Sequence, residues 1–150
     1  MYNAEGMADV KPMCILAIDW GSKRIGIAIS DPTGKFARPL GVINHISRAE
    51  DAKKIFELSV ENSVDDIILG VTYDDDNILT PNGRSASRLA DAISMLFVKQ
   101  VILWDESFTT KEAKLLQIEK GISKTSRRGH QDGMAAVMLL EDYLGKNSYE

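Results

Sequence analysis

From residue 13 onward the chain switches between two hydrophobic periods. Met13 to Asp19 is an unbroken apolar run closed by an acid, the pattern of a strand covered on both faces. Arg24 to Ser30 alternates, as a half-covered strand does, and the short Gly-containing link between the two runs predicts a hairpin. Asp31-Pro32-Thr33-Gly34 is a turn signal with Pro at its second position, and Ala37 to Ile43 predicts a third strand. These three strands are expected to be antiparallel neighbours.

At Ser47 the period changes. Ala52, Ile55, Phe56, Ser59 and Val60 recur at helical spacing, Ser47 with Glu50 fits a capping box, and the helix is expected to end near Asn62. Asp66 to Val71 is a short apolar strand, followed by the polar loop TYDDDNILTPNG. A second helix over roughly Gly83 to Phe97 places Ala86, Leu89, Ala90, Ile93, Leu96 and Phe97 on one face. Gln100 to Trp104 predicts the last strand, buried, and Thr109 with Glu112 opens a helix through about Gln117. A basic connection then leads to Asp132 and a nearly all-apolar helix closed by Gly145.

Antiparallel hairpins followed by alternating strands and helices imply an α/β fold: a mixed five-stranded sheet, three antiparallel strands and then parallel ones, with helices on both faces. Residues 1–12 read as a polar extension, 13–145 as a single domain and 146–150 as a polar tail. At 150 residues, 44% hydrophobic and 27% charged, the chain closes one core without staples. Its single cysteine, Cys14, lies in an apolar run, the pattern of a buried thiol in a reducing compartment, so a cytoplasmic location is expected. No segment approaches the ~20 apolar residues of a membrane span, and no membrane partner is expected. The formal charge of −4 argues against indiscriminate coating of nucleic acid, which depends on neutralising many phosphates.

Three acids stand at element ends that can face one another. Asp19 ends the presumed central strand, Glu106 ends another, and Asp132 begins a helix that must dock on the sheet. Open α/β sheets carry their sites beyond the carboxyl ends of strands. Converging carboxylates repel unless a cation sits between them, and hard divalent ions with oxygen ligands, Mg²⁺ or Mn²⁺, suit them. A pair of such ions about 4 Å apart can activate water on one side of a phosphodiester and stabilise the leaving oxygen on the other. Each acid also has a plain structural reading: a hairpin cap for Asp19, a solvated strand end for Glu106, a helix N-cap for Asp132.

The segments IDWGSKRIGIAISD (Ile18 to Asp31), ILG (Ile68 to Gly70), WDESFTT (Trp104 to Thr110) and QDGMAAVMLLEDYL (Gln131 to Leu144) carry a family likeness. In order and spacing they resemble the bacterial YqgF/RuvX family, described both as Holliday junction resolvases and as pre-16S rRNA nucleases. The resemblance implies a ribonuclease H-like fold, a metal-dependent endonuclease activity in ribosome biogenesis, and Asp19, Glu106 and Asp132 as the catalytic, metal-binding acids. Arg24, Gly26 and Asp31 match a further signature, although a turn-forming role is the reading preferred for Asp31 over an auxiliary one at the site. The chain departs from the family at Ser107, where Arg is usual, and at Val71-Thr72, where Leu-Pro is common. Asp74, Asp75 and Asp76 in the loop that follows read as a solvated acidic segment.

Between Lys111 and Arg128 six basic residues (Lys111, Lys114, Lys120, Lys124, Arg127, Arg128) stand against two acids, Glu112 and Glu119. This stretch precedes Asp132, so it is expected to touch backbone phosphates, with Lys23 and Arg24, and also Lys35 and Arg38, as a second edge. A merely solubilising loop is its structural alternative. His130 could position a water or phosphate beside Asp132, and Trp20 and Trp104 are expected to seal the packing around the acids. The expected partner is nucleic acid, an rRNA precursor in preference to branched DNA, bound by a monomer or weak homodimer. Two other readings compete: an ATPase lobe, because D-x-G before a hairpin also resembles the first phosphate segment of the actin and Hsp70-type ATPases, and a non-catalytic ribosome-assembly module.

Overall fold

The computed structural model describes residues 13–106 and 124–147, the side chains of 124–132 and 147 excepted. Eight elements follow one another: β1 (Ile15–Asp19), β2 (Arg24–Ser30), β3 (Ala37–Asn44), α1 (Arg48–Glu61), β4 (Asp66–Val71), α2 (Pro81–Ser94), β5 (Gln100–Asp105) and α3 (Lys124–Asn147). The expected helix over Thr109 to Gln117 and the extension over residues 1–12 lie outside the described residues.

The strands form one sheet in the order β3-β2-β1-β4-β5. β1 pairs antiparallel with β2, and β2 with β3, whereas β4 runs parallel to both β1 and β5. β1 is therefore central, and the carboxyl ends of β1, β4 and β5 meet at one edge of the sheet.

The alternation of side chains along each strand divides the core in two. On one face Leu16, Ile18, Ile25, Ile27, Ile67 and Leu69 pack against Ile55 of α1 and Leu89 and Ile93 of α2. On the other, Ile15, Ala17, Ala28 and Ile68 meet Ala136, Leu139 and Leu140 of α3. The first face carries large branched residues and takes two helices. The second has alanines at the centre of β1 and β2, and the smaller side chains suit a single helix lying across the sheet.

Local chemistry sets the helix ends. The Ser47 hydroxyl accepts the Glu50 N–H at 3.1 Å and opens α1, a cap of about 1 kcal/mol, and Asn62 closes it. Thr80 accepts the Gly83 N–H at 3.0 Å, and Pro81 stands in the first turn, where its missing N–H costs nothing; α2 thus begins at Pro81, ahead of the expected Gly83.

Several expectations are corrected. β2 is buried along both faces, because its alternate residues are Gly, Ala and Ser, small enough to lie beneath α3. β5 is an edge strand paired only with β4, and its burial alternates with exposure. Val60 and Leu96, assigned to buried helix faces, are exposed. The apolar last helix reaches back through the supposed basic connection to Lys124 and forward past Gly145 to Asn147. Asp132 therefore lies inside α3, not at its start. Gly145 is the expected stop of this helix, but a glycine costs a helix only about 1 kcal/mol, which the docking of the apolar face outweighs.

Candidate active site

The D-W-G turn delivers the first acid. A Cβ on Gly21 would lie 2.4 Å from the Arg24 carbonyl oxygen, so only glycine permits this tight return from β1 into β2. Asp19 pairs with Gly26 of β2 on one side. On its other side the parallel register runs through Ile18 and Leu69, which brings Asp19 beside Gly70 of β4. Ile15 and Ala17 face α3, so alternation places Asp19 on the α3 face.

Glu106 arrives two strands away, a separation of roughly 10 Å at the usual strand spacing. Its N–H bonds the Val71 carbonyl at 3.0 Å, which extends the β4–β5 pairing one step past β5. Its side chain then bends back over β4. A Cβ built on Gly70 would lie 2.0 Å from Glu106 Oε2 and 3.2 Å from Leu139 Cδ2. The missing side chain of Gly70 is the space that the carboxylate occupies, and there Glu106 is only 7% exposed. Gly70 thus lies between the two candidate acids on the same face. The ILG triplet was a sequence signal for it, but apolar periodicity alone reads Gly70 as one more strand residue.

The third acid enters on α3. Asp132 precedes the buried Ala136 by one helical turn, and a Cβ on the neighbouring Gly133 would lie 4.0 Å from Pro39 Cβ of β3. Because Leu139 covers Gly70 and Asp142 reaches Trp104 of β5, α3 crosses the sheet obliquely from β3 to β5. The side chain of Asp132 lies outside the described residues, as do those of Lys124, Arg127, Arg128 and His130, which share its helix. Lys111 lies outside them altogether. Among the described residues no three His, Cys, Asp or Glu side chains are grouped closely enough to hold an ion.

The remaining candidates divide by the edge they occupy. Lys23 is exposed, and half-buried Arg24 begins β2 at the Asp19 edge, on the α3 face by alternation from Ala28. Asp31, Lys35 and Arg38 lie at the opposite edge, where β2 turns into β3. There Asp31 accepts the Thr33 hydroxyl at 2.6 Å and the Lys35 and Phe36 N–H groups at 2.9 and 3.0 Å, as a turn-forming acid does. The Thr33 hydroxyl, then the Phe36 N–H, hold its carboxyl below the usual range. Asp74 is likewise used within its loop, accepting the Asp76 and Ile78 N–H groups.

The two tryptophans flank the acids on opposite faces. Trp104 Nε1–H donates to Asp142 at 2.8 Å, and its ring meets Tyr143 edge-on at 4.9 Å, which fastens α3 to β5. Trp20 packs against the other core beside His45. The neighbouring pair of His45 and the buried Asp51 escaped sequence reasoning. Its signal was an acid one turn before Ile55, on the buried row of α1.

Compared with protein families, residues 13–146 match the model of RuvX, Holliday junction resolvase. The chain belongs to the RuvX family. That membership supports nuclease function. A relative from Thermoanaerobacter pseudethanolicus, named "Putative pre-16S rRNA nuclease", is 38% identical over 88% of this chain and 96% of its own. One of the same name from Clostridium tetani is 33% identical over 88% and 96%. Among solved structures, Thermus thermophilus RuvC aligns with a TM-score of 0.57 at 12% identity, covering 91% of this chain and 97% of that one. The fowlpox virus Holliday junction resolvase aligns at 0.52 and 19% identity over 89% and 99%. These two likenesses give the fold of this family member: a resolvase-type, ribonuclease H-like sheet. No helix among the described residues is long and apolar enough to cross a membrane.

Proposed function

We propose that the chain is a divalent-metal-dependent endonuclease that processes the 5′ end of pre-16S rRNA in the cytoplasm, as a monomer or weak homodimer. One observation carries this reading: the Glu106 carboxylate occupies the space left by Gly70, on the face and at the edge where Asp19 ends β1. A structural strand-end acid would point to water. This one is folded back over the neighbouring strand and almost fully covered, on the same face and at the same edge as Asp19.

The donor chemistry fits Mg²⁺ or Mn²⁺, since carboxylate oxygens are the ligands these ions prefer. Asp19 and Glu106 would hold the ion from the sheet and Asp132 would complete the set from α3. When bound, the metal supplies positive charge for activating water and stabilising the leaving oxygen at a phosphodiester. The chain's own groups do the rest. Gly70 keeps the Glu106 carboxylate aimed across β4, Leu139 excludes water beneath it, and Arg24 and Lys23 hold backbone phosphates at the same edge. Lys111, Lys124, Arg127 and Arg128 would extend that phosphate contact, with His130 beside Asp132.

The relatives named for pre-16S rRNA favour an RNA substrate; branched DNA is the second reading, favoured by the family's description as resolvases. The test is cleavage of a pre-16S rRNA fragment with Mg²⁺ or Mn²⁺. Asp19→Asn is expected to lower the rate more than about a hundredfold while circular dichroism and melting stay unchanged. Undiminished cleavage by the variant removes Asp19 from the mechanism. Cleavage of a four-way DNA junction in preference to the RNA fragment moves the assignment to branched DNA.

A further inference from the structure

At the same end of the sheet, on the face opposite α3, lies a cleft of about 210 Å³ lined by Trp20, His45, Arg48, Asp51, Ser85 and Leu89, with Ser47 at the start of α1. Its walls come from the D-W-G turn, the end of β3 and helices α1 and α2. Asp19 and Trp20 are consecutive, so alternation sends one toward α3 and the other into this cleft.

The cleft is built around a fixed imidazole. Asp51 is completely buried, and its carboxylate bonds His45 Nδ1 at 2.5 Å and the Ile46 N–H at 3.1 Å. A buried carboxylate is costly unless its bonds are satisfied. Here it holds a side chain that stays 30% exposed, and its bond to Nδ1 leaves Nε2 as the ring's second polar edge. The indole of Trp20 stands edge-on to that ring at 5.9 Å, Leu89 adds an apolar wall, Arg48 adds a cation and Ser85 a hydroxyl.

An aromatic surface, an oriented ring nitrogen and a guanidinium in one small cleft match a single nucleotide: a base against the indole, its polar edge on His45, its phosphate on Arg48. The volume is below the ~300 Å³ at which sites for drug-sized ligands begin, so it suits one base and not a stacked pair. We propose that this cleft receives one unpaired nucleotide of the strand whose phosphodiester lies at Asp19 and Glu106. The inference rests on the nuclease reading and adds a requirement to it: the substrate must present a single-stranded nucleotide next to the cleaved bond. Ribose and deoxyribose share this chemistry.

Trp104→Phe leaves Trp20 as the single tryptophan of the full chain. Its emission is titrated, in EDTA so that nothing is cut, with a short single-stranded oligoribonucleotide, the matching oligodeoxyribonucleotide and the blunt duplex of each. Expected are quenching by the single strands, none by the duplexes, and roughly fivefold weaker binding when exposed Arg48 is also changed to Ala. Unchanged Trp20 emission, equal quenching by duplex, or unaltered binding in the Arg48→Ala protein overturns the inference. Cleavage of pre-16S rRNA by the parent protein without Trp20 quenching removes the cleft and spares the nuclease; quenching without any metal-dependent cleavage keeps the cleft and removes the nuclease.

Discussion

Asp19 and Asp31 each sit where a strand of one hairpin ends, and their fates differ. The strands are antiparallel, so the two acids stand at opposite edges of the sheet. Asp31 meets its own turn, which fills its oxygens with the Thr33 hydroxyl and two backbone N–H groups. Asp19 meets the edge where β4 and β5 also end, with Gly70 beside it and a second carboxylate folded over that glycine. An acid closing an apolar run is therefore ambiguous by itself. What separates the candidate site acid from the turn-forming one is that parallel neighbours end at its level and leave room between them.

Gly70→Ala breaks the comparison most sharply. The added methyl would fall 2.0 Å from Glu106 Oε2, and the carboxylate, being the far end of a flexible side chain, is the group that must give way. Leu139 Cδ2, at 3.2 Å, is the second tight contact. The expected outcome is metal-dependent cleavage lowered roughly 10–100-fold, the effect of disturbing the support of a ligand, with stability lowered by only about 1 kcal/mol from overpacking. Rates and urea midpoints measured on the same preparation check it. A Gly70→Ala protein that cleaves as fast as its parent would mean that the position of Glu106 over β4 has no part in the reaction.

Trp104→Phe sharpens the comparison from the side of α3. It removes the 2.8 Å bond to Asp142 and keeps an aromatic ring against Tyr143, so a loss of about 1 kcal/mol is expected in urea unfolding. Because α3 also carries Leu139 over the site, the docking of this helix and the placement of Glu106 are linked through Gly70. A Phe variant as stable as the parent would show that the apolar row of α3 alone fastens it to the sheet.

The five strands, their mixed sheet and the helices on both its faces were legible because the hydrophobic periods are strong. β1 and β4 are unbroken apolar runs, and Ser47, Pro32 and Gly34 punctuate the chain as their chemistry requires. Burial was less legible. β2 looked half-covered because its small residues resemble a polar row, and β5 looked buried because Val, Ile and Leu at an edge read the same as at a centre. Both ends of α3 lie beyond the expected ones, because the charged stretch before Asp132 reads locally as a connection and Gly145 as a stop, whereas the docked apolar row carries the helix through both. Asp19 and Glu106 stand out as candidates by their positions at strand ends, and the family resemblance implies the same residues; the structure places both on the α3 face at one edge. The packing of Glu106 into the space at Gly70 was hidden, since it depends on what is absent from a side chain 36 residues before Glu106 in the chain. The His45–Asp51 pair was hidden because an acid in the first turn of a helix has an ordinary explanation, favourable interaction with the helix dipole.

The smallest expected effect belongs to the other acid. Asp31→Asn keeps one side-chain oxygen for the turn but loses the charge that the Thr33 hydroxyl and the Phe36 and Lys35 N–H groups favour. Since those bonds hold its folded-state carboxyl below the usual range, Asp31 contributes stability that is fully present above the unfolded value of about 4 and is lost as pH falls through the lower folded value. The wild-type protein is therefore expected to be slightly more stable than Asp31→Asn at neutral pH, with the two unfolding curves converging under acid. Cleavage should stay unchanged, because this carboxylate lies at the far edge from Asp19. A pH-independent stability difference would assign the effect to lost turn geometry instead of charge. A fall in cleavage matching that of Asp19→Asn would reverse the distinction between the two edges.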